Sequence, residues 1–292
     1  MTIREAIRAG ESQLAAAGID TARLDAELLL GHLLDLPHLE LWLRQSEALT
    51  QAQAAKFERL LDRRAAREPL QHITGWTSFL RLDLHVTRDV LVPRPETEIL
   101  AQLAIEHLKL RPPPLSALDW GTGSGCLALA LARGVPTAEI VAIDASPDAL
   151  RIARANATAH RLADHLHFLA GRGWEALRTA NPARALPSRF DLIVSNPPYI
   201  PTAEIETLSP EVRDHDPRLA LDGGPDGLNC FRELATTAAS WLKSDGRMLL
   251  EFGDGQAPAL QDLFRENGWG INAVEKDLSG RERILIVDPP RS

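Results

Sequence analysis

The sequence predicts an α/β protein in which a doubly wound, mostly parallel sheet follows a small all-helical domain. Three observations predict it. From Leu115 onward, short apolar runs alternate with segments of helix length, the mark of strand–helix units with helices on both sheet faces. Before Gly75 every periodic segment has helical spacing. Between the two lie "RLDLHV" (81–86), which alternates polar and apolar residues, and the proline-bearing "LVPRPETEIL".

The chain of 292 residues suits one large domain with a smaller companion, and 45% hydrophobic with 25% charged residues is an ordinary globular balance. A net charge of −8 provides no global basic field to recruit nucleic acid. Cys126 and Cys230 have no metal-ligand spacing and make no disulfide framework, which fits a reduced cytoplasm. The opening "MTIREAIRAGESQ" is charged early and is not expected to be a signal peptide. No run of about 18 apolar residues is present, so no membrane span is expected.

Thr2 and Glu5 have capping-box spacing, and Gly18 stops the first helix. The second, "TARLDAELLLGHLL", is expected to place Leu24, Leu28 and Leu29 on one face and to halt before Pro37. "LELWLR" forms a third short helix, and Thr50 with Gln53 caps a fourth carrying Phe57, Leu60, Leu61 and Arg64. Short connections imply an antiparallel bundle over residues 1–75. "WTSFL" and "RLDLHV" pair as a hairpin, so residues 76–95 form hairpin and linker. Glu96 opens a helix running to about Leu108, and "RPPPL" (111–115) is a stiff spacer. The catalytic-domain candidate spans 96–292: "LSALDW", helix 124–133, "EIVAID", helix 147–160, "LHFLA", "FDLIVS", helix 227–243, "RMLLEF", helix 257–267 and "RILIVD".

Chemistry concentrates at three strand ends. "LDWGTGSGCLALALA" (118–132) is a strand, a glycine loop and a helix. Gly121, Gly123 and Gly125 allow a tight turn and let backbone amides approach a ligand. A dinucleotide fingerprint needs G-x-G-x-x-G/A; here the third glycine comes one place early and Cys126 takes the last position. This spacing resembles the G-x-G-x-G loop of class I S-adenosylmethionine (SAM) enzymes. Asp144 ends "EIVAID" about twenty residues further on, where an acid can accept hydrogen bonds from both hydroxyls of a ribose. Asp119 closes the first strand and either orients the loop or meets a ligand amino group.

The third strand end is "VSNPPYI" (194–200), and Tyr199 is the chain's single tyrosine. Pro197 holds Asn196 extended, and neither Pro197 nor Pro198 has an N–H, so the turn is rich in acceptors. The Asn196 side-chain oxygen and the Pro197 carbonyl can receive both protons of one planar NH2, with Tyr199 as a flat wall. Such a group is an amide, an adenine N6 or a cytosine N4. A further reading has the Asn196 NH2 anchor a neighbouring substrate carbonyl.

With these residues in view, the chain closely resembles the release factor glutamine methyltransferases, the HemK/PrmC family of N5-glutamine methyltransferases. "RLDAELLL", "EPLQHITG", "LVPRPETE", "LDWGTGSG", "SNPPYI" and "PRLALDGGPDGL" carry the resemblance along nearly the whole chain. It implies a class I SAM-dependent methyltransferase domain, Rossmann-like with a seven-stranded sheet, behind a helical substrate-recognition bundle. It further implies methylation of the Gly-Gly-Gln glutamine of peptide chain release factors, in the cytoplasm and as a monomer. By motif, Gly121, Thr122, Gly123, Ser124, Gly125 and Asp144 would hold SAM. Asn196, Pro197, Pro198 and Tyr199 would hold the substrate amide, with Asn196 also reaching the cofactor. Trp174 in "GRGWEAL" matches an aromatic that lies near the adenine. Many relatives have an acid just before that aromatic, whereas Arg172 and Gly173 stand here. "NPPY" is also shared by adenine and cytosine amino-methyltransferases of nucleic acids and by enzymes that methylate a ribosomal-protein glutamine. Arg94 and Glu96 either wall the cofactor or set the linker. His165 and His167 form a surface pair and "DHD" (214–216) a solvated charge cluster, so no metal is expected. "DGGPDG" (222–227) is turn chemistry in the loop that shapes substrate entry.

Overall fold

A computed structural model describes residues 1–180 and 186–290. The chain forms two compact units: Met1–Trp76 with Leu208–His215, and Thr77–Thr207 with Asp216 onward.

In the first unit, helices α1 (Ile3–Ala16), α2 (Ala22–Leu34), α3 (His38–Leu43), α4 (Gln51–Ala65) and α5 (Leu70–Thr74) surround one apolar cluster. Both capping boxes form, Thr2 with Glu5 and Thr50 with Gln53, satisfying helix N-terminal donors. The buried stripe of α2 differs from that leucine grouping. Leu24 and Leu28 are 48% and 37% exposed, while Ala22, Asp25, Ala26, Leu29 and Leu30 face inward. Small residues decide this register. A Cβ on Gly10 of α1 would lie 3.1 Å from Ala26 Cβ, so the two helices pack too closely for leucine there. Asp25 can be buried because Arg64 Nε donates to its Oδ2 at 2.7 Å. Arg64 and Arg67 also pair with Glu211, which explains why Leu208–His215 belongs to this unit although the sequence assigns it to the catalytic domain. Helix α5, unexpected from sequence, fits between Pro69 at its N-cap and Gly75 at φ 81°.

The second unit takes up the chain at Thr77, inside the first strand of the hairpin β1 (Trp76–Phe79) and β2 (Leu82–His85), and continues with α6 (Pro95–Lys109). Next come β3 (Leu115–Trp120), α7 (Cys126–Gly134), β4 (Ala138–Asp144), α8 (Pro147–Ala159), β5 (Leu166–Ala170), α9 (Glu175–Arg178) and β6 (Phe190–Ser195). After α10 (Pro210–Arg213), which lies in the first unit, follow α11 (Asn229–Thr237), β7 (Leu242–Glu251), α12 (Ala257–Glu266), β8 (Gly270–Lys276) and β9 (Glu282–Asp288). The sheet has seven strands in the order β5-β4-β3-β6-β7-β9-β8. Five are parallel, and β9 runs antiparallel to β7 and β8.

Alternation sorts the strand residues between two cores. Ala117, Ile140 and Leu192 meet Leu100, Leu127 and Leu150 of α6 to α8, whereas Leu118, Val141 and Ile193 meet Ala176, Phe231 and Leu260 of α9, α11 and α12. The expected helix 227–243 is shorter. Gly227 has φ 77° and cannot be helical, and the chain tightens to a 3-10 turn over Ala238–Trp241 before β7 begins. Strand β8 was not expected, because an edge strand that is mostly half-exposed lacks the apolar run of its neighbours.

Candidate active site

Strands β3, β4 and β6 are parallel neighbours, so Trp120, Asp144 and Ser195 end on the same sheet edge. The loop after β3 turns through Gly121, Gly123 and Gly125 at φ 81°, 55° and 85°, backbone that favours glycine. The three differ in purpose. A Cβ on Gly121 or Gly123 would meet nothing within 4 Å, whereas one on Gly125 would lie 2.7 Å from Leu129 Cδ1 and 3.1 Å from Ala153 Cβ. The first two line open space, and the third lets α7 pack against α8.

Asp119 is fully buried beneath this loop. Its Oδ2 accepts from Thr122 Oγ1 at 2.6 Å and from the Ala128 amide at 3.0 Å, while Oδ1 has no partner among the described residues. Burial pushes this carboxyl up to about 7, against those two bonds. Asp119 therefore orients the loop, and its second oxygen is buried without a donor among the described residues. Thr122 and Ser124 are buried; the Thr122 hydroxyl is spent on Asp119, and the Ser124 carbonyl accepts from Asn156 Nδ2 at 2.9 Å. Burial pushes the Cys126 thiol up to about 12, too high for a nucleophile.

Asp144 holds the loop from the neighbouring strand. Its Oδ2 accepts from the Gly123 amide and its Oδ1 from the Ser146 amide, both at 2.8 Å. Burial raises its pKa and these backbone donors oppose the rise. Each carboxylate oxygen can accept a second bond, so the helix-capping role leaves room for a diol. Trp174, 3% exposed, lies in the core. Its ring stacks on Trp241 at 6.1 Å between centroids and tilts against Trp120 at 6.4 Å. That makes it a packing residue that seats the loop before it.

At the end of β6, Ser195 Oγ donates to the Trp120 carbonyl at 2.5 Å, tying this strand end to the glycine loop. Asn196 Nδ2 donates to Thr97 Oγ1 at 3.1 Å, and Thr97 Oγ1 donates to Glu251 Oε2 at 2.7 Å. Glu251 ends β7 and is 1% exposed; burial pushes its carboxyl up to about 7, with the Thr97 bond opposing. The amide of Asn196 is thus fixed with one N–H spent on Thr97. Neither Asn196 Oδ1 nor the Pro197 carbonyl accepts a hydrogen bond from any described residue. Pro197 is buried and Pro198 half-buried. Gln256 Nε2 donates to the Tyr199 carbonyl at 2.9 Å, and a Cβ on Gly227 would collide with that carbonyl. Burial pushes the Tyr199 phenol up to about 12, so it stays neutral.

Sequence reasoning missed Thr97, Glu251 and Gln256. Thr97 sits inside "PRPETE", and Glu251 is an acid ending the apolar run "RMLLEF"; Gln256 gave no signal. Arg94 is paired with the buried Asp216 at 2.8 Å and Asp214 with Arg213 at 2.8 Å, so the "DHD" acids are tied up in ion pairs. His167 lies 3.1 Å from Glu139.

A seven-stranded sheet with this reversed last strand, a G-x-G-x-G turn after β3 and an N-P-P-Y turn after β6 defines a class I methyltransferase. In the fold alone, it is similar to a methyltransferase from Pyrococcus furiosus, with TM-score 0.52 and 17% identity over 79% of this chain and 99% of that one. Residues 5–75 match a family described as the PrmC N-terminal domain, and 96–209 match the methyltransferase small domain. A release factor glutamine methyltransferase of Moorella thermoacetica is 42% identical over 98% of both chains. One of Geobacter sulfurreducens is 39% identical over 97% of this chain and 95% of its own. The chain belongs to the release factor glutamine methyltransferase family.

Proposed function

We propose that this chain transfers the methyl group of SAM to the side-chain amide nitrogen of a glutamine, that of the Gly-Gly-Gln tripeptide in peptide chain release factors. The observation that carries the reading is the pair of unfilled acceptors, Asn196 Oδ1 and the Pro197 carbonyl, on the edge that also bears the glycine loop.

The residues present fit the cofactor. Gly121 and Gly123 leave open space where a Cβ would stand, and the buried Asp119 braces the loop from beneath through Thr122 and the Ala128 amide. Asp144 keeps acceptor capacity for a ribose. Bound SAM supplies an electrophilic methyl on a sulfonium. The substrate nitrogen is a feeble nucleophile because its lone pair is delocalised into the carbonyl. Asn196 Oδ1 and the Pro197 carbonyl would accept its two hydrogens and stabilise the positive charge that grows as it attacks; one of those protons, made acidic once the methyl has moved, would pass to solvent. Thr97 fixes the Asn196 amide and Gln256 ties down the Tyr199 carbonyl at the end of the same turn, so little reorganisation is needed at the moment of reaction. Tyr199, a neutral phenol, walls the amide rather than taking a proton.

The test incubates the full chain with methyl-labelled SAM and, separately, a purified release factor, ribosomal protein and RNA or DNA oligonucleotides. Label on the Gly-Gly-Gln glutamine, located by mass spectrometry, is the expected result. Label on a nucleobase or only on ribosomal protein would replace this substrate with another.

A further inference from the structure

The order β6, β3, β4, β5 sets Asn196, the glycine loop, Asp144 and the loop 171–174 in line along one sheet edge. With strands about 4.8 Å apart, that line is roughly 14 Å long, the length of an extended nucleoside with an amino-acid tail. A cofactor reacting at Asn196 and held at its ribose by Asp144 therefore places its base one strand further, over 171–174. The Gly171 amide donates to the Asp144 carbonyl at 3.0 Å, so this loop begins one hydrogen bond from the ribose acid. Ahead of Trp174 the loop offers only Arg172 and Gly173, neither with an acceptor side chain.

The acceptor comes from elsewhere in the sequence. Gly173 has φ 53°, and a Cβ built on it would overlap Glu233 Oε1, with Glu233 Cδ at 3.1 Å and Oε2 at 3.5 Å. The carboxylate of Glu233, carried on α11, thus occupies the space an acidic side chain at position 173 would fill. Glu233 is half-buried, and its carboxylate accepts no hydrogen bond and forms no ion pair with any described residue, Arg172 included. A placed, unfilled carboxylate beside the site of the base calls for a donor.

We propose that Glu233 accepts a hydrogen bond from the exocyclic amino group of the cofactor's adenine and so selects adenine over a 6-oxo purine. The proposal rests on the SAM reading above. An amino group at the purine 6-position donates to the carboxylate; a 6-oxo group would set two acceptors against each other, which is where polar recognition discriminates most strongly. Glu233 supplies from α11 the carboxylate that Arg172 and Gly173 do not carry, and the glycine at 173 is what makes room for it.

Calorimetry on the full chain with S-adenosylhomocysteine and S-inosylhomocysteine tests this. Wild type should bind the adenosyl compound at least about tenfold more tightly than the inosyl one, the scale of one hydrogen bond to a charged group. Glu233→Ala should lose most of that preference by weakening only the adenosyl compound. Adding Gly173→Asp to Glu233→Ala should restore the preference, since Asp tolerates a left-handed φ and the space has been vacated. An equal loss for both compounds in Glu233→Ala, or no loss for either, would overturn the assignment. A wild type that binds neither compound would instead overturn the SAM reading, and this inference with it.

Discussion

Thr97→Val removes one hydroxyl from the centre of the candidate site while nearly keeping the side chain's shape. That hydroxyl donates to Glu251 Oε2 at 2.7 Å and accepts from Asn196 Nδ2 at 3.1 Å, so the change acts on two groups at once. Without the anchor, the Asn196 amide is free to rotate and present its NH2 where an acceptor is needed. Losing one preorganised partner outright costs a hundredfold or more, and loosening it should cost about 2 kcal/mol, roughly thirtyfold in kcat. Affinity for S-adenosylhomocysteine should change by less than about twofold, because Thr97 acts on the substrate acceptor rather than on the glycine loop. Glu251 responds as well. Its carboxyl stands at about 7 in the fold against an ordinary 4.5, so the folded state binds the proton more tightly than the unfolded one. This contribution to stability is complete below pH 4.5 and is lost as pH rises through about 7, about 3 kcal/mol in all at 1.4 kcal/mol per pH unit. The Thr97 bond lowers that pKa, so Thr97→Val should extend the window of loss to higher pH. Single-turnover methyl transfer gives the first effect, and urea unfolding at about pH 5 and about pH 8 the second. Thr97→Ser should restore both. A valine variant with kcat within about twofold of wild type and an unchanged pH dependence would refute the coupling of Asn196 to Thr97.

Asp144→Ala should weaken S-adenosylhomocysteine binding by about 1.5–3 kcal/mol, partly through the freed Gly123 amide; wild-type affinity by calorimetry in the folded variant would defeat the ribose assignment. Gly123→Ala meets open space, so it should cost only the left-handed strain of about 1–2 kcal/mol while impairing cofactor binding. Gly125→Ala must also displace Leu129 and the α8 backbone at Ala153, and thermal melts should rank it well below Gly123→Ala. Arg64→Leu leaves Asp25 buried without its 2.7 Å partner and should destabilise the first unit by about 3–5 kcal/mol. The double change with Asp25→Leu should recover much of that loss in urea unfolding.

Most of the fold was legible because its signals are local. "LSALDW" and "EIVAID" are apolar runs of strand length between turn residues, and Thr2, Glu5, Thr50 and Gln53 carry their caps in their own spacing. Errors fell where a neighbour decides. Leucine spacing alone grouped Leu24 and Leu28 with Leu29 in α2, but the close approach of α1 rotated Ala22 and Ala26 inward instead. Edge strand β8 lacks an apolar run because one side of it has no partner strand.

The candidate site divides the same way. Gly121, Gly123, Gly125, Asp144 and Asn196 are legible because a backbone that needs positive φ, or a strand that stops at a polar group, is written in consecutive residues. Which acceptors remain open is not. Asp119 spends one oxygen on Thr122 and Ala128, Asn196 spends an N–H on Thr97, and Glu251 stands behind both Thr97 and Asn196 from 55 or more residues away. Trp174 matches, by resemblance, an aromatic that lies near the adenine, and only the fold shows that its ring also packs against Trp120 and Trp241. Glu233 gives no sequence signal at all, and only the overlap of its carboxylate with the missing side chain of Gly173 reveals it. Sequence determined which chemical groups stand at the strand ends, because strand and turn propensities act over a few residues. Tertiary structure decided which of their hydrogen-bonding positions are already filled, because the partners that fill them come from strands and helices distant in the chain.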